Sequence, residues 1–189
     1  MYSKYFDLEV RDTNTDEKLK NGAVGEIMVR PKISFGFMQG YLGMPDKSFE
    51  AYRNFWFHTG DAGFFNKKNQ LIFVDRMKDC IRRRGENISS YEVEQAFLKI
   101  PQIAEAAAYA VPAKDHGQED EVMVALMIIK GSKIEYSKWI KKVSVDLAKF
   151  AVPLYLRVMN NFPKTQTGKI IKHALRTEGI TNDTWKNNL

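Results

Sequence analysis

The residues best suited to chemistry fall in four short runs of this 189-residue chain. In Phe162-Pro163-Lys164-Thr165-Gln166-Thr167-Gly168-Lys169-Ile170, proline and glycine shape a mobile loop that ends on a lysine. The ammonium of Lys169 is a compact point charge, suited to a phosphoryl or carboxylate oxygen whose charge grows during a reaction. The run is not a Walker loop, because the pattern G-x-x-x-x-G-K-[ST] is absent. In Trp56-Phe57-His58-Thr59-Gly60-Asp61, a glycine able to make a tight turn is expected to leave Asp61 at a loop tip. A carboxylate fixed there can accept two hydrogen bonds from a sugar diol. His58 has no histidine or cysteine near it in sequence, so packing is expected of it rather than metal binding.

The densest run is Val74-Asp75-Arg76-Met77-Lys78-Asp79-Cys80-Ile81-Arg82-Arg83-Arg84-Gly85-Glu86-Asn87-Ile88, with five cations in the nine residues 76–84. Gly85, without a side chain, allows a ligand close to the backbone. Its arginine neighbours can fork onto phosphates. A solvated basic loop and a nucleic-acid patch are the competing readings. The fourth run, Gly25-Glu26-Ile27-Met28-Val29-Arg30 followed by Gly40-Tyr41-Leu42, reads by itself as a strand and an aromatic loop.

The elements that must hold these runs are legible in outline. Residues 5–30 read as strand, turn, strand, with Asn21-Gly22 as a turn pair. Residues 31–63, rich in glycine and aromatics, read as loops packed on a larger body. Asn66 to Gln70 is a turn, and Leu71 to Val74 a buried strand. Beyond them, Ser89-Ser90-Tyr91-Glu92 is a capping box. Val93, Ala96, Phe97 and Ile100 then share one helical face, which Pro101 stops. Ala106 to Val111 and Glu121 to Ile129 are strand-like, joined by a polar loop from Lys114 to Asp120. Glu135 to Phe150 reads as a second amphipathic helix ended by Pro153, with Tyr136, Trp139, Ile140, Val143, Leu147 and Phe150 on its apolar face. Leu154 to Met159 is a third strand, and Lys169 to Arg176 a last helix closed by Gly179. Residues from about 80 onward therefore form a compact α+β unit, while residues 1–75 hold too little core to stand alone.

Composition sets outer bounds. The chain is 44% hydrophobic and 28% charged, ordinary for a globular protein. No run approaches the ~20 apolar residues that span a bilayer, and the first residues lack a signal-peptide segment. One cysteine, Cys80, excludes an internal disulfide framework. A cytoplasmic protein is expected. The net charge of +6 points to anionic partners.

The four runs, in this order, resemble the C-terminal part of the adenylate-forming superfamily: acyl-CoA synthetases, luciferases and peptide-synthetase adenylation domains. The resemblance covers the chain from about Tyr5 to about Leu175. Phe57-His58-Thr59-Gly60-Asp61 resembles Y-R-T-G-D, which implies that Asp61 binds the ribose hydroxyls. Val74 to Ile88 resembles G-R-x-K-D-x-I-K-x-x-G-x-x-I, which implies a ribose contact for Arg76, a hinge at Lys78 and a pantetheine path along Gly85. Pro163 to Ile170 resembles P-K-T-x-x-G-K-I, with Lys169 as the adenylation lysine. The run Arg82 to Glu94 looks most like carnitine/crotonobetaine-type and related short-acyl ligases. Asp75 stands where the family commonly has glycine, and His58 where it commonly has arginine.

The resemblance implies a C-terminal lid domain at 80–189, a hinge at 76–79, and at 1–75 the β-rich end of a large AMP-binding domain. The substrates would be ATP, a carboxylic acid and coenzyme A. The acid attacks the α-phosphate to give acyl-AMP, and the CoA thiolate then gives acyl-CoA and AMP. The lid would turn about Lys78 between the two steps. Arg82, Arg83 and Arg84 are candidates for the CoA phosphates on charge alone. No metal ligands are expected here; the Mg²⁺ site, phosphate loop and acyl pocket belong to upstream segments absent from this sequence. A missing N-terminal domain and an inactive fragment follow. A peptide-synthetase adenylation domain is the rival within the family. A basic nucleic-acid or phosphate-binding module is the rival outside it, disfavoured because the cations occupy one short loop without interleaved aromatics.

Overall fold

The computed structural model describes residues 4–34, 36–113 and 120–188. The polar loop expected from Lys114 to Asp120 lies, except for Asp120, outside the described residues. The chain divides into two compact units, Met1–Lys78 and Asp79–Leu189.

The first unit is a four-stranded antiparallel meander in the order β1 (Phe6–Arg11), β2 (Gly25–Pro31), β3 (Phe57–Phe65), β4 (Leu71–Arg76). An Asx turn begins the β1–β2 connection, where Asp12 Oδ1 accepts the backbone N–H of Asn14 and Thr15. Two expectations fail here. Residues 31–63 are not all loop. Pro45 starts the short helix α1 (Pro45–Ala51), with Asp46 in its first turn, where both residues suit a helix N-terminus. β4 is not a buried strand either. It is the sheet edge, and Ile72 and Phe73 are exposed on it.

The second unit opens with a hairpin, β5 (Ile81–Arg83) and β6 (Glu86–Ile88). Its two turn residues, Arg84 and Gly85, both have positive φ, 53° and 79°. That is the conformation of a two-residue turn whose twist matches the strands. Helix α2 (Ser90–Leu98) follows, and Ser89 Oγ accepts the Glu92 N–H at 3.2 Å as its N-cap. Val93, Ala96, Phe97 and Ile100 are all buried.

The main sheet runs β10 (Trp185–Lys186), β9 (Tyr155–Val158), β8 (Asp120–Ile128), β7 (Ile103–Pro112). Pairing is antiparallel except for β8–β9, which is parallel and bridged by a crossover through α3 (Tyr136–Val143). Alternate residues serve the two faces. Ala106, Ala108, Val122, Val124 and Leu126 pack with α2, α3 and the hairpin isoleucines. Ala107, Tyr109, Val111, Met123 and Ala125 pack with Phe162 and Leu175 on the other face. Burial on both faces explains the near-continuous apolar runs of β7 and β8. The architecture is α+β.

Two helices are shorter than their patterns suggest. α3 stops at Val143, not Phe150. The Ser144 hydroxyl bonds back to the Ile140 carbonyl at 2.7 Å, and Val145 and Asp146 bond three residues back, tightening the last turn. Leu147 stays buried beyond the helix, while Phe150 is exposed. The last helix, α4 (Lys172–Glu178), starts three residues after Lys169.

Candidate functional site

In the first unit, Asp61 and Arg76 are cross-strand partners on β3 and β4, with Arg76 Nη1 2.9 Å from Asp61 Oδ1. Asp61 is not at a loop tip, because Phe57–Phe65 forms one strand. The β2–β3 register slips between Glu26 and Met28, so residues 59–61 bulge opposite Ile27. A bulge re-aims side chains, and Gly60, at φ 69°, supplies the left-handed residue it needs. The bulge is held from below by a residue that sequence reasoning did not single out. Glu26, 5% exposed, accepts the Gly60 N–H on one carboxylate oxygen at 2.9 Å, and its other oxygen meets His58 Nδ1 at 3.0 Å. Thr59 Oγ1 donates to the Ile27 carbonyl at 2.6 Å and accepts the Asp61 N–H at 3.1 Å. His58 thus packs and pairs inward. Met77 N–H donates to the Gly60 carbonyl, tying the end of β4 to the same bulge. Lys78, the last residue of this unit, is exposed.

In the second unit, the three arginines of the hairpin separate. Strand alternation turns Arg83 inward, where its Nε lies 2.6 Å from Glu121 Oε2 and its Nη1 donates to the carbonyls of Phe150 and Val152, each at 3.0 Å. Its guanidinium is committed to the interior, and Arg83 leaves the candidate phosphate contacts. Arg82, Arg84 and Gly85 are exposed. Arg84 and Glu121 also line a groove of about 890 Å³ with Lys149, Lys186, Phe150 and Leu154. Burial pushes the Asp120 carboxyl, at the start of β8, above its usual range, against the pull of the Arg176 guanidinium and of the Arg82 backbone.

Lys169 lies in a loop closed on itself rather than at a helix start. Lys164 and Ile170 form a β-bridge. Thr165 N–H donates to the Lys169 carbonyl at 2.9 Å, and Ile171 N–H to the Pro163 carbonyl at 2.8 Å. Thr165 Oγ1 accepts the Lys169 N–H at 3.1 Å. Phe162, buried, roots the loop in the core. The neighbouring lysines are neutralised: Lys164 by Glu105 and Lys172 by Glu94, each at 2.7 Å. Among the described residues Lys169 is exposed and its ammonium has no acidic partner. No group of three or more His, Cys, Asp or Glu side chains among the described residues is arranged to hold a metal ion. No described helix is long and apolar enough to cross a membrane.

Residues 92–169 match the family described as the AMP-binding enzyme C-terminal domain. The peroxisomal trans-cinnamate:CoA ligase of Petunia hybrida is 35% identical over 173 residues, covering 90% of this chain and 29% of that protein. The crotonobetaine/carnitine–CoA ligase of a Proteus species is 28% identical over 172 residues, covering 90% of this chain and 33% of that protein. The crystal structure of ATP-bound MatB from Rhodopseudomonas palustris superposes with a TM-score of 0.77 at 27% identity, over 92% of this chain and 34% of that one. The chain spans about a third of the length of these relatives.

Proposed function

We propose that this chain, which carries an AMP-binding enzyme C-terminal domain, is the C-terminal part of an ATP-dependent acyl-CoA synthetase. The whole protein would activate a carboxylic acid as acyl-AMP and pass the acyl group to coenzyme A. Asp79–Leu189 would be the lid, and Met1–Lys78 the end of the large nucleotide-binding domain. The few buried apolar side chains of the first unit, Val10, Ile27, Met28, Trp56 and Ala62 among the described residues, support that reading, since so small a core does not stand alone. Nucleotide-bound and CoA-ligase relatives support the substrate classes.

The single observation that carries the proposal is the free ammonium of Lys169. Of the three lysines at the loop, this one is exposed and has no acidic partner among the described residues. A charge fixed by a closed loop and not spent on a carboxylate is available to a transition state. In the first half-reaction it would stabilise the charge building on the carboxylate and α-phosphate oxygens. Asp61, aimed by the bulge and braced by Arg76, would accept hydrogen bonds from the ribose hydroxyls. Lys78 would be the hinge, the boundary of the two units falling immediately after it. Arg82 and Arg84 would meet the CoA phosphates, and Gly85 would leave room for pantetheine. Mg²⁺ would neutralise the ATP phosphates, held outside these residues. The cytoplasm is the proposed location.

The test is Lys169→Ala in the full-length protein. Adenylation should slow at least about a hundredfold, the scale for loss of one preorganised charge stabiliser. Thioester formation from supplied acyl-adenylate should persist. Equal loss in both half-reactions would refute the assigned role.

A further inference from the structure

The loop that carries Lys169 leaves and rejoins its unit at two lysine–glutamate pairs that differ in kind. Lys164 pairs with Glu105 on β7, with side chains 37% and 28% exposed. Lys172 pairs with Glu94 on α2, with side chains only 16% and 14% exposed. Solvent screens the first pair and much less the second. The second pair is also better connected. Lys172 Nζ donates to Ser90 Oγ at 2.6 Å, and Ser90 is fully buried. Glu94 Oε1, which faces Lys172, also accepts the Ala108 N–H at 2.9 Å. Ala108 lies on β7, the edge strand of the main sheet. One carboxylate oxygen thus joins α2, the sheet edge and the first residue of α4.

Helix chemistry does not account for Lys172. A cation in a first turn sits at the wrong end of the helix dipole. Its position is explained by what it holds. Only Ile170 and Ile171 separate it from Lys169, and both are tied across the loop, to Lys164 and to Pro163. A shift of Lys172 is therefore passed to Lys169 rather than absorbed between them.

We infer that Glu94 and Lys172 are positioning residues for Lys169, fixing the height of its loop over the sheet edge for the adenylation step. This rests on the adenylation role proposed above. The catalytic loop is placed by a buried ion pair on its C-terminal side, while the exposed Lys164–Glu105 pair contributes little to its position.

The experiment uses the full-length protein, with the acid it turns over best in a pyrophosphate-release screen. Glu94→Gln keeps an acceptor for Ala108 but removes the charge. Glu94→Gln and Lys172→Met should each lower the adenylation kcat about ten- to a hundredfold, the scale of a small misplacement of a reacting group. The KM for ATP and thioester formation from supplied acyl-adenylate should stay within about threefold. Lys172→Arg should restore most of the rate. In a Lys169→Ala background, Glu94→Gln should cost nothing further, because residues acting through one group are non-additive. Additive losses, equal losses in both half-reactions, or parental adenylation in both variants would overturn the inference. If Lys169→Ala alone leaves adenylation intact, the adenylation role itself fails. If Lys169→Ala is slow and Glu94→Gln is not, only the positioning fails.

Discussion

Met1–Lys78 and Asp79–Leu189 each contain a four-stranded sheet, yet they fill their interiors differently. In the first unit only Val10, Ile27, Met28, Trp56 and Ala62 are buried apolar side chains among the described residues. In the second, the sheet is covered on both faces by apolar clusters. The first unit relies instead on directional contacts. The guanidinium groups of Arg11 and Arg30 lie 4.4 Å and 4.5 Å from the Trp56 ring centre. Asp7 pairs with Arg30 and Lys32 at the sheet surface, and Glu26 braces the bulge. Surface pairs of this kind orient side chains but add little stability, typically about 0–1 kcal/mol each. Area removed from water dominates stability. One unit is built to aim groups, and the other to remain folded while presenting a loop.

The sharpest way to break this comparison is to separate the units. A chain of residues 79–189 should melt cooperatively by circular dichroism, and a chain of residues 1–78 should show no cooperative transition. A cooperative melt of the first unit alone would show that its polar ties suffice. The next effect tests the interior of the second unit. Arg83→Met strands Glu121, which is 6% exposed, and should cost about 3 kcal/mol. Arg82→Ala and Arg84→Ala should stay within about 0.5 kcal/mol in the same thermal melts. Equal, small losses at all three would return Arg83 to the surface.

The smallest effect concerns Tyr109, whose hydroxyl is buried in the second unit without a hydrogen-bond partner among the described residues. Burial pushes its pKa from the usual 10 up to about 12. The fold prefers the neutral phenol, so this contribution is complete below pH 10 and is lost as the pH rises towards 12. Tyr109→Phe should leave neutral-pH stability within about 1 kcal/mol of the parent. It should also flatten the alkaline decline between pH 10 and 12 in denaturant titrations. An unchanged alkaline limb would mean that the phenol does not titrate with unfolding.

Features set by neighbours in sequence were legible, and those set by distant partners were not. The Ser89 cap and the face of Val93, Ala96, Phe97 and Ile100 are local. Helix α1 left no pattern to read, because none of its residues is buried. The end of α3 was hidden because Leu147 stays buried after the helix stops. Taken as a loop, the stretch gives no reason to separate Arg83 from Arg82 and Arg84. Taken as a hairpin turning at Arg84-Gly85, the same letters put Ile81, Arg83 and Ile88 on one face. Of the candidate site, the cations and Asp61 were visible as types. Their acidic braces act across 32 residues of chain at His58–Glu26, 38 at Arg83–Glu121 and 78 at Lys172–Glu94, and no local spacing reveals them.

The parallel pairing of β8 with β9 has a consequence for the order in which the protein takes shape. Every strand of the first unit pairs with its neighbour in sequence, so that sheet can assemble as the chain leaves the ribosome. The second sheet waits for the α3 crossover, and its third strand ends at Val158. Closing such non-local pairs is slow, and unpaired edges are exposed meanwhile. A stalled chain would thus carry a formed but weakly held meander and, in its second unit, an open edge of β8. The loop of Lys169 would follow β9, and only α4 and the short strand β10 after it would complete the sheet.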